Sequence, residues 1–174
     1  MTQLLVYMSI ALGVSFLCSI VEAALLSITP SHLAKLEQDR PKVGTRIRAL
    51  KSNIDRPLAA ILSLNTIAHT VGAAGVGAEA QRLWGSEVLA LTSAVLTLLI
   101  LFLSEIIPKT LGAMYWRRLT CFLAGFLPPL ILALLPLVWL SEAITGFMKR
   151  RLVAETLSRE EFAALARVGE EQGV

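Results

Sequence analysis

Apolar positions divide this chain into three long, nearly uncharged runs separated by short charged stretches. Residues 4–27 carry one formal charge, Glu22; residues 57–78 carry none; residues 87–108 carry only Glu87 and Glu105. About twenty apolar residues at 1.5 Å per residue match the thickness of a bilayer's hydrocarbon, so each run predicts a transmembrane helix. Between the first two, residues 31–56 set Leu33, Leu36, Ile47, Leu50 and Ile54 among charges. That pattern predicts two short amphipathic helices, parted near residues 41–44 and lying on the cytosolic membrane surface. Residues 119–148 are again apolar, but Arg117 and Arg118 precede them, Lys149, Arg150 and Arg151 follow, and Pro128, Pro129 and Pro136 interrupt them. Basic residues at both ends and prolines within favour a Pro-broken juxtamembrane belt helix over a fourth crossing. Ser158-Arg159-Glu160-Glu161 then has the form of a capping box before Phe162, Leu165 and Val168. The expectation is an all-α integral membrane fold of three transmembrane helices. Residues 1–151 form the membrane domain, and residues 152–174 begin a cytosolic helical linker of a longer protein.

Composition and charge sharpen this picture. A 55% hydrophobic chain with mean hydropathy +0.68 is not what a soluble domain of 174 residues requires. The N-terminal run lacks the preceding positive charge and small-residue cleavage site of a signal peptide, so it reads as a retained span. Cys18 and Cys121 lie in apolar segments without metal-ligand spacing and read as small core side chains. The net charge of +3 comes from basic residues beside apolar runs, which orders topology rather than nucleic-acid binding. Residues 30–57 and the C-terminus are placed in the cytosol and the N-terminus outside, in a multi-pass protein of the inner (plasma) membrane.

The polar residues inside the spans carry the chemistry. Glu105 sits at membrane depth in Leu103-Ser104-Glu105-Ile106-Ile107-Pro108-Lys109-Thr110, where an ionisable group is a functional hypothesis by default. Pro108 has no N–H and is expected to break the helix there, freeing the Ser104 carbonyl beside the Glu105 carboxylate. Ser15, Ser19 and Glu22 share one face of the first span, and Asn65 and His69 lie one turn apart in the second, near Ser63 and Thr66. Counted from the loops, these sets meet in the inner half of the membrane. Hard oxygen donors of this kind suit Mg²⁺. Ser19, Asn65 and Glu105 are the expected ligands, with Glu22, Ser63 and Ser104 as secondary or backbone ligands. Each has a plainer reading: the serines bond their own helix carbonyls, Asn65 joins two helices, His69 is a satisfied interior histidine, and Glu105 pairs with Lys109 at i+4.

Ser19-Ile20-Val21-Glu22, Leu62-Ser63-Leu64-Asn65-Thr66 and Ser104-Glu105-Ile106-Ile107-Pro108-Lys109-Thr110 resemble, in order and spacing, the membrane domain of the CorC/CorB/CNNM magnesium transporter family. One departure is that the family's first motif commonly reads Ser-Gly-Ser-Glu, so its second serine has no counterpart here. The resemblance implies Mg²⁺ efflux coupled to Na⁺ entry by a homodimer, with Ser19, Asn65 and Glu105 on the transported ion. It also implies a cytosolic pair of CBS domains after this chain.

Two function classes remain. One is a transporter that binds a largely dehydrated Mg²⁺; the other is a membrane-anchored Mg²⁺ sensor or scaffold that regulates attached cytosolic domains. An enzyme is not expected, because no nucleophile with its base, no His-Glu-x-x-His and no paired catalytic carboxylates occur.

Overall fold

A computed structural model of the chain describes residues 1–152, with side chains through residue 146. Every regular element among the described residues is helical: α1 (Thr2–Ser27), α2 (Pro30–Asp39), α3 (Pro41–Ser52), α4 (Asp55–Trp84), a 3₁₀ turn (Ser86–Val88), α5 (Leu89–Leu99), a π-helical segment (Ile100–Ile106), α6 (Ile107–Ala133) and α7 (Leu135–Leu152). Residues 1–138 form one compact unit, and Trp139 opens a second. The expected linker beyond residue 152 lies outside the described residues.

Three helical runs are long and apolar enough to cross a membrane: Thr2–Ser27, Asp55–Trp84 and Ser86–Ala133. Leu91, Val95, Leu98 and Phe102 stand exposed along the third, as do Leu5, Val6 and Ile10 on the first and Ile67 and Val71 on the second. Apolar surface on this scale is untenable in water and required in lipid. The protein is therefore an integral membrane protein.

Helix α1 lies at the centre of the first unit, packed along both α4 and α6. Close approach on both flanks makes this packing. A Cβ added at Gly72 of α4 would run into Ala11, and one at Gly112 of α6 would run into the carbonyl oxygen of Ile20 and lie 3.0 Å from the Ala23 Cβ. Small residues at such contacts allow helix backbones to touch, which is how membrane helices associate.

The loop after α1 folds into the two expected short helices. Thr29 caps α2 by accepting the N–H of His32 at 3.4 Å, and Pro30 takes the first helical position, where its missing N–H is harmless. The break falls at Arg40, pushed out of helical conformation by Pro41. These helices do not merely rest on a membrane surface: Leu33, Leu36, Ile47 and Leu50 are buried with Val21, Leu25 and Ile28 of α1 and Leu123 and Leu127 of α6. Lys51 of α3 donates to the carbonyls of Ile28 (2.7 Å) and Leu25 (3.4 Å), satisfying acceptors that α1 leaves open at its C-terminus. Burial pushes the Lys51 ammonium below its usual pKa.

Two sequence expectations need correction. The helix of the third span does not stop at Pro108, and residues 119–133 are joined to it rather than opening a helix of their own. Residues 119–133 continue α6, with Pro128 and Pro129 inside it, and the interruption comes at Leu134 (φ −103°, ψ 19°), before Pro136 in the first turn of α7. Arg117 and Arg118 suggested a boundary before residue 119, yet exposed basic side chains can ride on one face of a helix that continues past them.

Candidate functional site

The polar residues of the spans converge where α1, α4 and the π-helical segment meet. On α1, spacings of four and three place Ser15, Ser19 and Glu22 on one stripe; Ser15 and Ser19 are fully buried. On α4, Asn65 and His69 lie one turn apart, both half-buried. From the third helix come Ser104, fully buried, and Glu105, half-buried.

The third helix changes hydrogen-bond register rather than breaking. The N–H of Ile107 bonds the carbonyl of Phe102, five residues back, and Pro108 then sits buried in the first turn of α6. A proline in an α register deprives the carbonyl four residues back of its donor and clashes with it; a widened turn ahead of the proline relieves that conflict without ending the helix. The Pro108 break expected from sequence is corrected to this π-helical turn. Ser104 Oγ donates to the Ile100 carbonyl at 2.8 Å, so its hydroxyl serves its own helix.

The carboxylate of Glu105 organises the cluster. Its Oε1 accepts from Asn65 Nδ2 at 2.9 Å, and its Oε2 lies 3.0 Å from Lys109 Nζ. The same ammonium lies 3.4 Å from Glu22 Oε2, so Lys109 ties a carboxylate on α1 to one on the third helix. His69 Nε2 is 3.9 Å from Glu105 Oε1 and 2.6 Å from Ser15 Oγ, which joins α4 to α1.

Two oxygens in this group stand unsatisfied. Ser19 Oγ is buried facing the Glu105 carboxylate without a hydrogen bond of normal geometry, and Asn65 Oδ1 is buried on the amide that serves that carboxylate and has no partner. Buried polar atoms without partners cost roughly 1–3 kcal/mol each and call for an explanation such as a missing ligand. The donors are one hydroxyl, one amide oxygen and carboxylates, a hard set. Among the described residues no three His, Cys, Asp or Glu side chains gather in a metal-holding group, so the neutral oxygens of Ser19 and Asn65 matter as much here as the carboxylates.

Of the residues expected from sequence, Ser19, Asn65 and Glu105 come together and Glu22 joins them through Lys109. Ser104 contributes no free hydroxyl. Ser63, two residues from Asn65 and thus on another face of α4, is half-buried and joins no hydrogen bond or ion pair of the group. The bridge from Lys109 to Glu22 was missed, because nothing in one sequence sets the rotation of α1 against α6.

Comparison with known proteins agrees with this architecture. The CNNM family description, cyclin M transmembrane N-terminal domain, matches residues 6–174. A UPF0053 protein of Synechocystis sp. is 33% identical over 174 residues, all of this chain and 50% of that protein. The UPF0053 inner membrane protein YfjD of Escherichia coli is 26% identical over 151 residues, 83% of this chain and 35% of its own length. A UPF0053 protein of Haemophilus influenzae is 30% identical over 145 residues, 83% of this chain and 34% of its own. The chain thus spans half or less of these relatives.

Proposed function

We propose a cation-transport function for this chain, which belongs to the CNNM family of cyclin M transmembrane N-terminal domains. Its cargo is Mg²⁺, bound largely dehydrated in the inner half of the membrane and moved outward, with Na⁺ entry as the driving exchange. The single observation that supports this most is the pair of unsatisfied buried oxygens, Ser19 Oγ and Asn65 Oδ1, set around the half-buried carboxylate of Glu105. Mg²⁺ takes about six oxygen ligands and releases water reluctantly, so a site that moves it needs neutral oxygens to replace water and a carboxylate to offset the lost hydration. Ser19, Asn65 and Glu105 fill those roles, with Glu22 as a second negative charge nearby.

The working form is a homodimer in the inner (plasma) membrane, N-terminus outside and C-terminus cytosolic, with a CBS-domain pair following this chain as its regulatory partner. The chain acts as a carrier and not as an enzyme. A sensor that only binds Mg²⁺ gains less from placing an oxygen site among transmembrane helices, since a surface site binds the ion at lower desolvation cost. Reconstitution into liposomes loaded with a Mg²⁺-sensitive dye separates the two. Transport gives protein-dependent Mg²⁺ flux that responds to a Na⁺ gradient, whereas saturable binding without flux overturns transport and leaves the sensor.

A further inference from the structure

We propose that Lys109 is the resident cation of this site: its ammonium occupies the carboxylates of Glu105 and Glu22, and the transported ion binds by displacing it. This inference rests on the reading of Ser19, Asn65 and Glu105 as the cation site. Lys109 Nζ stands 3.0 Å from Glu105 Oε2 and 3.4 Å from Glu22 Oε2, bridging acids on two different helices. An i+4 pair needs only Glu105; the second contact places the positive charge between both acids. Those carboxylates are 21% and 17% exposed while Lys109 is 46% exposed, so the acids are the more enclosed partners and the ammonium, at the end of a flexible stem, is the one placed to leave.

The neighbours are consistent with an occupant that is only part of what the site accepts. An ammonium has donors and no acceptor, so it satisfies carboxylates but leaves oxygen ligands meant for a metal unused. Asn65 turns its Nδ2 toward Glu105 and keeps Oδ1 buried and unpaired; Ser19 Oγ is buried and unpaired as well. The remaining polar group on this carboxylate is His69, 3.9 Å away and engaged with Ser15. Two carboxylates and one ammonium sum to a formal charge of −1, against −2 once the ammonium withdraws. A divalent ion coordinated by Glu105 repels the ammonium at these distances, so entry of one drives out the other, and return of Lys109 helps expel the cargo. Lys109 thereby trades affinity for release.

The test compares Lys109→Met, Lys109→Gln and Lys109→Arg in the full chain with Mg²⁺ as the probe, by calorimetry and by liposome flux. Removing the charge in the Met or Gln variant is expected to tighten Mg²⁺ binding by about tenfold or more and to lower the flux at saturating Mg²⁺. The Arg variant is expected to stay near wild type in affinity. Gln serves where Met disturbs folding, and a purely structural Lys109 predicts no gain of affinity in either. Unchanged or weaker binding in the folded Met and Gln variants, with Glu105→Gln still abolishing wild-type binding, overturns this inference alone. No Mg²⁺ binding in wild type, or none that Glu105→Gln alters, overturns the site and this inference with it.

Discussion

Asn65 donates its amide N–H to Glu105 at 2.9 Å while its own carbonyl oxygen lies buried without a partner. Half of the amide is used in holding a carboxylate and half is left for something else. Beside it, Ser19 Oγ is buried and unpaired in the same way.

Asn65→Ala and Ser19→Ala should therefore each weaken Mg²⁺ binding by about tenfold, near 1.4 kcal/mol for one neutral oxygen, without unfolding the protein. Calorimetry on variants with wild-type thermal stability checks this. Wild-type affinity in both would reduce the two residues to packing.

Glu105→Gln keeps the shape of the side chain and removes its charge. Mg²⁺ flux in liposomes should fall by at least about 100-fold, because a neutral amide does not offset the dehydration of a divalent ion. Expression and assembly should survive. Normal flux through this variant would shift suspicion to Glu22.

Packing makes an independent prediction. Gly112→Ala places a methyl group against the Ile20 carbonyl and should cost about 1–3 kcal/mol. Gly125→Ala on the same helix meets nothing within 4 Å and should be neutral or gain up to about 1 kcal/mol of helix propensity. Thermal unfolding in detergent ranks the two, and equal effects would contradict the close contact of α1 with α6.

The α2–α3 pair carries a pH signature. Glu37 takes a bidentate hydrogen bond from Arg48, which, helped by the guanidinium charge, holds its carboxyl below the usual glutamate range. A lowered folded value means the contribution is complete above the ordinary glutamate pKa of about 4.3 and is lost as pH falls through the lower folded value. Carboxyl NMR shifts should show Glu37 titrating lower in wild type than in Arg48→Ala.

Topology is checked by thiol labelling. A cysteine at the exposed Ser52 should react only from the cytosolic side of intact cells, since the basic residues of residues 30–57 favour retention there. Labelling from outside alone would invert the orientation and the inner placement of the site.

Much of this architecture was legible because bilayer thickness imposes length and polarity on each span. The meeting of Ser19, Asn65 and Glu105 followed from counting residues inward from the loops. The π-helical turn was not legible, since no residue type in Ile100–Ile106 distinguishes a π-helix from an α-helix and Pro108 signals only that some adjustment is needed. The continuation through residues 119–133 is not legible from Arg117 and Arg118, because charge constrains where a side chain points and not whether the backbone continues. The Ser15–His69 bond and the Lys109–Glu22 bridge depend on helix rotation, which one sequence does not encode locally.

Helix α1 is clamped on both sides by contacts that lack a side-chain layer, Ala11 on Gly72 and Ile20 on Gly112. Surfaces that mesh this closely resist sliding, because a shift of a fraction of a turn drives a methyl group into a backbone. Any rearrangement that carries an ion past Glu105 is therefore expected to move α1 together with the faces of α4 and α6 that hold it, rather than to slide α1 alone between them.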